Sequence, residues 1–145
     1  MEQKNLFPVA FEGFCMSQSK PLIAVVDDDQ SVCRALDRLL HSLGMNTQTF
    51  ASGSEFLAFI ETMPSFHPDC VVLDLHMPGL NGLDVQERLT RDHISLSVIF
   101  ITAYDEADTR ERALEGGAVA FLRKPFSDDV LIKALDEAIH RRFEP

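Results

Sequence analysis

The sequence predicts an α/β fold, a five-stranded parallel sheet wound on both faces by helices in five βα units. Three observations predict it. Short, unbroken apolar runs recur, as expected of parallel strands covered on both sides. Stripes of apolar residues at helical spacing separate them. Polar residues able to handle phosphate follow directly after several of the apolar runs.

Each element has its own signal. Leu22, Ile23, Ala24, Val25 and Val26 form the first run. A helix follows, with Val32, Ala35, Leu36, Leu39, Leu40 and Leu43 on one stripe and Gly44 placed to end it. Residues 46–50 make a more polar strand, as an edge strand would. A helix over about 52–63 is expected to bury Phe56, Leu57 and Ile60.

Residues 70–73 form a second buried strand after the breaker Pro68. Pro78, Gly79, Asn81 and Gly82 read as a loop, with a helix to about Arg91 beyond it. Residues 97–101 are a third buried strand. The segment 105–115 is helical but poor in apolar residues, with only Ala107, Ala113 and Leu114, and Gly116 and Gly117 stop it. Residues 119–122 give the last strand. Ser127 can cap a final helix that buries Val130, Leu131, Ala134, Leu135, Ala138 and Ile139.

The chain of 145 residues suits one domain, placed at 21–142. Residues 1–20 read as a flexible N-terminal extension and 143–145 as a tail; Met16 is an alternative start to Met1. The N-terminus lacks the basic start and compact apolar stretch of a secretory signal. No apolar run is long enough to cross a membrane. These features predict a cytoplasmic protein. Cys15, Cys33 and Cys70 lack metal-ligand spacing and read as reduced thiols. The formal charge of −10 disfavours nucleic acid and anionic membranes as direct partners.

In open parallel sheets, ligands gather beyond the carboxyl ends of the strands. There the first strand delivers Asp27, Asp28 and Asp29, and the third delivers Asp74. The fourth delivers Thr102, and the fifth Lys124 after Arg123. In isolation each has a plain explanation. The triplet would cap a helix, Asp74 would sit in a turn, Thr102 would favour a strand and Lys124 would be solvated. Together they form one rim. Clustered carboxylates call for a cation, and hard oxygen ligands favour Mg2+. An aspartate can act as a nucleophile and form an acyl phosphate. Lys124 and the Thr102 hydroxyl can meet the phosphoryl oxygens.

Four motifs carry a family resemblance: VVDDD at 25–29, LDLHMPGLNG at 73–82, Ile101-Thr102-Ala103, and Lys124-Pro125-Phe126. In order and spacing the sequence resembles response-regulator receiver domains of two-component systems, over about 21–142. The stretch 116–135 is similar to FixJ-type receivers, which often precede a LuxR-type DNA-binding domain. The resemblance implies the flavodoxin-like strand order 2-1-3-4-5. It implies that Asp74 is the phosphoacceptor, and that Asp28, Asp74 and the backbone carbonyl of His76 bind Mg2+, with Asp27 acting through water. Thr102 would contact the phosphoryl group and relay its presence, and Lys124, before a cis proline, would pair with it. Phe121 holds the position of the switch aromatic.

A histidine kinase or phosphotransfer protein is the implied donor. The implied listener is a downstream protein or output domain, or a phosphorylation-dependent homodimer formed through the face around Phe121. Such a protein is an enzyme only toward its own phosphoryl group. Two further readings stand beside this one. A degenerate receiver would act as a constitutive binding module, but the full Asp28, Asp74, Thr102 and Lys124 set speaks against it. A haloacid-dehalogenase-type hydrolase would want a second aspartate where His76 stands. His76 and Tyr104, each two residues beyond a site residue, are expected to lie together at the entrance and tune water access. The helix after Thr102 is expected to move, because few buried contacts hold it.

Overall fold

The computed structural model describes residues 20–142. The expected N-terminal arm, the choice between Met1 and Met16, Cys15, and the tail all lie outside the described residues. Ten elements alternate: β1 (Leu22–Val26), α1 (Gln30–Ser42), β2 (Asn46–Phe50), α2 (Gly53–Thr62), β3 (Cys70–Asp74), α3 (Gly82–Arg91), β4 (Ser97–Thr102), α4 (Ala107–Glu115), β5 (Ala120–Arg123) and α5 (Asp128–Arg142). The strands form one parallel sheet in the order β2-β1-β3-β4-β5. This is the 2-1-3-4-5 order expected.

The two-residue period of a strand divides the core in two. Ala24 and Val26 of β1, with Val71 and Leu73 of β3, face α2 and α3 through Phe56, Leu57, Val85 and Leu89. Ile23, Val25, Cys70 and Val72 face the other way, onto Leu36 and Leu40 of α1 and Leu131 and Leu135 of α5. Both faces of β3 are therefore covered, and its residues are buried throughout. Burial of one such aliphatic side chain contributes about 1.5–3 kcal/mol. The polar strand β2 lies at the edge, with only Phe50 buried.

Local signals set the helix ends. The Asp29 side chain accepts the Ser31 N–H at 2.9 Å and caps α1, and Ser52 caps α2 through the Glu55 N–H. Asn81 and Asp84 form a reciprocal capping box on α3. Gly44 follows α1 at φ +82°, where a side chain would be strained. The Ser127 hydroxyl accepts the Val130 N–H at 3.3 Å.

Some details depart from the sequence reading. Gly82 opens α3 rather than lying in the preceding loop, and it is buried. The last strand begins at Ala120 and runs to Arg123. Ala35, Leu43 and Val130 are exposed, although the sequence pattern places each on the apolar face of its helix. For α5 the reason is angular. Leu131, Ala134, Leu135 and Ala138 complete an i, i+3, i+4, i+7 face, and Val130 falls outside it. In α4 Ala113 alone is buried. No helix among the described residues is long and apolar enough to cross a membrane.

Candidate functional site

The site lies where β1, β3, β4 and β5 run out at one rim. Parallel pairing aligns these ends. Asp74 pairs with Ile101 one residue before Thr102, and Thr102 pairs with Arg123 one residue before Lys124. The Lys124 N–H donates to the Thr102 carbonyl at 2.7 Å, which extends the ladder past β5. The following peptide, Lys124–Pro125, is cis, as expected. At the other side, the Asp27 N–H donates to the Phe50 carbonyl at 3.1 Å and the Cys33 thiol donates to the Asp27 carbonyl at 3.3 Å. Asp27 is thus fixed through its backbone from two elements.

Three carboxylates converge. Ligand oxygens from Asp27, Asp28 and Asp74 lie within 4.8 Å of one another. Asp27 and Asp74 are buried, whereas Asp28 is exposed. Lys124 reaches between the buried pair, with its Nζ 2.9 Å from Asp27 Oδ2 and 3.5 Å from Asp74 Oδ1. Burial, and then the charge of Asp27, push the Asp74 carboxyl up to about 7, with Lys124 opposing the rise. Burial works against the Lys124 ammonium, but the hydrogen bond to Asp27 and the charge of Asp74 hold its pKa above the usual lysine value. One lysine faces two buried carboxylates, so the centre has room for further positive charge. The donor set is all oxygen and exposed on the Asp28 side, which fits a hard divalent cation such as Mg2+.

Thr102, His76 and Tyr104 also stand at these strand ends, whereas Phe121 lies within β5, paired with Phe100. Thr102 is fully buried. Its hydroxyl donates to the Tyr104 carbonyl at 2.9 Å and accepts the Tyr104 N–H at 3.0 Å, so it is turned toward the loop before α4. The rings of His76 and Tyr104 meet edge to face, with centroids 5.6 Å apart, beside Asp74 and Thr102 in sequence. Phe121 is half-buried, 6.2 Å from Phe100 in the core.

Two contributors are not evident from the strand-end pattern. A Cβ on Gly82 would stand 2.8 Å from the Asp74 carbonyl oxygen and 2.8 Å from the Phe100 ring. Glycine therefore lets α3 begin directly against the end of β3. Its signal was present, as a small residue directly after a capping Asn, but Gly82 read equally well as a turn residue. Gln86 is buried in α3 and donates to the Ala113 carbonyl of α4 at 2.9 Å. No periodicity marks it, because it occupies a position that suits an apolar side chain.

The fold and this rim define a class of signalling module with an acidic centre and a lysine at the strand ends. The chain belongs to the response regulator receiver domain family, whose model matches residues 23–136. Nodulation protein W of Bradyrhizobium diazoefficiens is 41% identical over 129 residues, covering 89% of this chain and 56% of its own length. Response regulator protein TodT of Pseudomonas putida is 34% identical over 124 residues, covering 86% and 53%. This chain thus spans little more than half of these relatives. Among solved structures, a response regulator receiver protein from Burkholderia phymatum shares 50% identity at a TM-score of 0.75, covering 83% of this chain and 96% of that one. FixJ-N shares 30% identity at a TM-score of 0.76, covering 85% and 96%. The protein is a receiver domain of two-component signalling, with an acidic cluster suited to a metal ion.

Proposed function

We propose that Asp74 accepts a phosphoryl group from a histidine kinase or phosphotransfer protein and that this switches a protein-binding face. One observation carries the reading. A buried, fully aligned Asp74 stands within reach of a single buried-pair lysine and two further carboxylates, at the strand ends of a receiver fold. In the transfer, an Asp74 carboxylate oxygen bonds to phosphorus as the bond from phosphorus to the donor breaks. Phosphoryl transfer depends mainly on positioning and charge stabilisation. Asp28, Asp74 and the His76 carbonyl would hold Mg2+, with Asp27 acting through water. When bound, the ion supplies positive charge to the phosphoryl oxygens. Lys124 supplies the other cation, leaving its 3.5 Å contact with the Asp74 carboxylate for the phosphoryl group.

Thr102 relays the event. Its hydroxyl must leave the Tyr104 backbone to donate to a phosphoryl oxygen, which pulls on the loop before α4. α4 is held by one buried side chain and the Gln86 hydrogen bond, so a small bias at its start can shift it. Phe121 turns further inward as Thr102 moves, and the neighbouring face then binds an output domain, a separate protein or a second copy. His76 and Tyr104 tune the access of water to the acyl phosphate. Catalysis is confined to the protein's own phosphoryl group, and the protein works in the cytoplasm.

Incubation with acetyl phosphate and Mg2+ tests the central assignment. Intact mass should show one phosphoryl adduct on the wild type and none on Asp74→Asn. Equal adducts on both proteins would refute it.

A further inference from the structure

The two ends of α4 are held differently. Near its C-terminal end Ala113, the buried residue of the helix, rests against the core. The Ala113 carbonyl accepts the Ala118 N–H at 3.1 Å and the buried Gln86 side-chain amide of α3 at 2.9 Å. A Cβ on Gly116 would stand 2.8 Å from the atoms of that amide, so glycine lets the helix end close over it. Gly117 then turns the chain at φ +102°, and the Val119 N–H bonds to the Val98 carbonyl of β4 at 2.8 Å. The start of the helix is not anchored in this way. Residues 103–108 are exposed, and the N-cap residue Glu106 makes no side-chain cap. The Arg110–Asp105 pair at 3.5 Å and the Thr109–Glu106 bond at 3.3 Å lie within the segment and travel with it. Its ties to the rim are the Thr102 hydroxyl on the Tyr104 backbone and the Tyr104 ring on His76.

We propose that Gln86 is a positioning residue that makes α4 a hinged lever, which pivots at Ala113 and does not slide as a unit. This pivot rests on the Thr102 relay proposed above. The kind of contact is decisive. Apolar packing is non-directional and would let one helix slip along the other. A hydrogen bond holds only within a narrow range of distance and angle. Sliding would leave the buried Gln86 amide unpaired, which is costly, whereas a tilt about the bond preserves it. Ala107 stands six residues before Ala113, so the lever is about 9 Å long. When Thr102 releases Tyr104, the start of α4 swings, its C-terminal turn stays on α3, and β5 stays in register.

Two variants act on the pivot from opposite sides. Gln86→Leu keeps the bulk and removes the donor. Gly116→Ala sets a methyl group against the amide at φ −76°, an angle that alanine adopts freely. NMR spectra of the isotope-enriched full chain with Mg2+ are compared before and after addition of beryllofluoride, and 19F spectra report the adduct. In the wild type the backbone amides of 103–110 should shift. The Gln86 side-chain amide and the backbone amides of Gly116, Gly117 and Ala118 should keep their positions and their protection from hydrogen exchange. In both variants the shifts should spread through Ala118. A wild-type response as large at Gln86 and 116–118 as at 103–110 would overturn the pivot, because α4 would then move as a unit. Shifts still confined to 103–110 in either variant would overturn it too, since another contact would then hold the helix end. A missing bound-fluoride signal would instead refute the phosphoacceptor reading of Asp74, and the pivot with it.

Discussion

Lys124 stands closer to Asp27 than to Asp74, at 2.9 Å against 3.5 Å. The lysine therefore anchors on one buried carboxylate while remaining within reach of the other. Burial and the charge of Asp27 raise the pKa of Asp74, and the more distant lysine only opposes the rise.

Lys124→Met removes the cation from a buried carboxylate pair. Truncating one partner of such a pair is strongly destabilising, but Lys124 is itself partly exposed, so the expected loss is about 1–3 kcal/mol. Urea unfolding in metal-free buffer should show the loss as larger at pH 8 than at pH 5, where Asp74 is protonated. A pH-independent loss would mean that the contact with Asp74 contributes nothing to it, leaving the 2.9 Å pair with Asp27 and packing.

The raised Asp74 pKa fixes the sign of a pH dependence. A carboxyl that titrates near 7 in the folded state and near 4 when unfolded binds protons more tightly when folded. Its stabilising contribution is present below about pH 4 and is lost as pH rises through 7. Metal-free Asp74→Asn should therefore exceed the wild type in stability at pH 8, by on the order of 2 kcal/mol, and by less at pH 5. Added Mg2+ should stabilise the wild type more than the variant. Urea midpoints at the two pH values check both statements.

Gly82→Ala forces a methyl group onto the Asp74 carbonyl oxygen and the Phe100 ring. Overpacking of this kind costs about 1–3 kcal/mol. The adjustment falls at the end of β3, so phosphorylation by acetyl phosphate should slow along with the drop in thermal midpoint. An exposed control such as Ala35→Ser should change neither.

Gln86→Leu removes the hydrogen bond to the Ala113 carbonyl and leaves that buried acceptor without its side-chain donor. The expected cost is about 1–2 kcal/mol. Amide hydrogen exchange should accelerate in α4 more than in α3 or α5. Uniform acceleration would show that Gln86 supports the whole domain rather than α4.

His76→Ala and Tyr104→Ala each remove half of the edge-to-face pair at the rim. Each should change the dephosphorylation rate of the acyl phosphate while leaving the unfolding free energy within about 0.5 kcal/mol of the wild type, as exposed substitutions do. Unchanged rates in both would remove their tuning role.

The architecture was legible because two periods alternate along the chain. Unbroken runs such as Ile23 to Val26 and Val71 to Leu73, bounded by turn residues and alternating with helical stripes, are what strands buried on both faces require, and residues that follow such runs collect at one rim by geometry. Asp27, Asp28, Asp74, Thr102 and Lys124 were found in that way. Local pattern failed where burial depends on a neighbour. Ala35 and Val130 look like core but are exposed among the described residues, while Gln86 looks like surface and is buried where it meets α4.

The sequence by itself determined the sheet, the rim and the kinds of residue on it, since these follow from periodicity and from strand ends. Tertiary structure alone decided how the charges are shared, because hydrogen-bond partners lie far apart in the chain. Lys124 meets Asp27 across 97 residues and Asp74 across 50. It also decided that the Thr102 hydroxyl rests on Tyr104, and that Asp74, whose place on the rim the sequence had marked, is a buried acid whose pKa is pushed up to about 7.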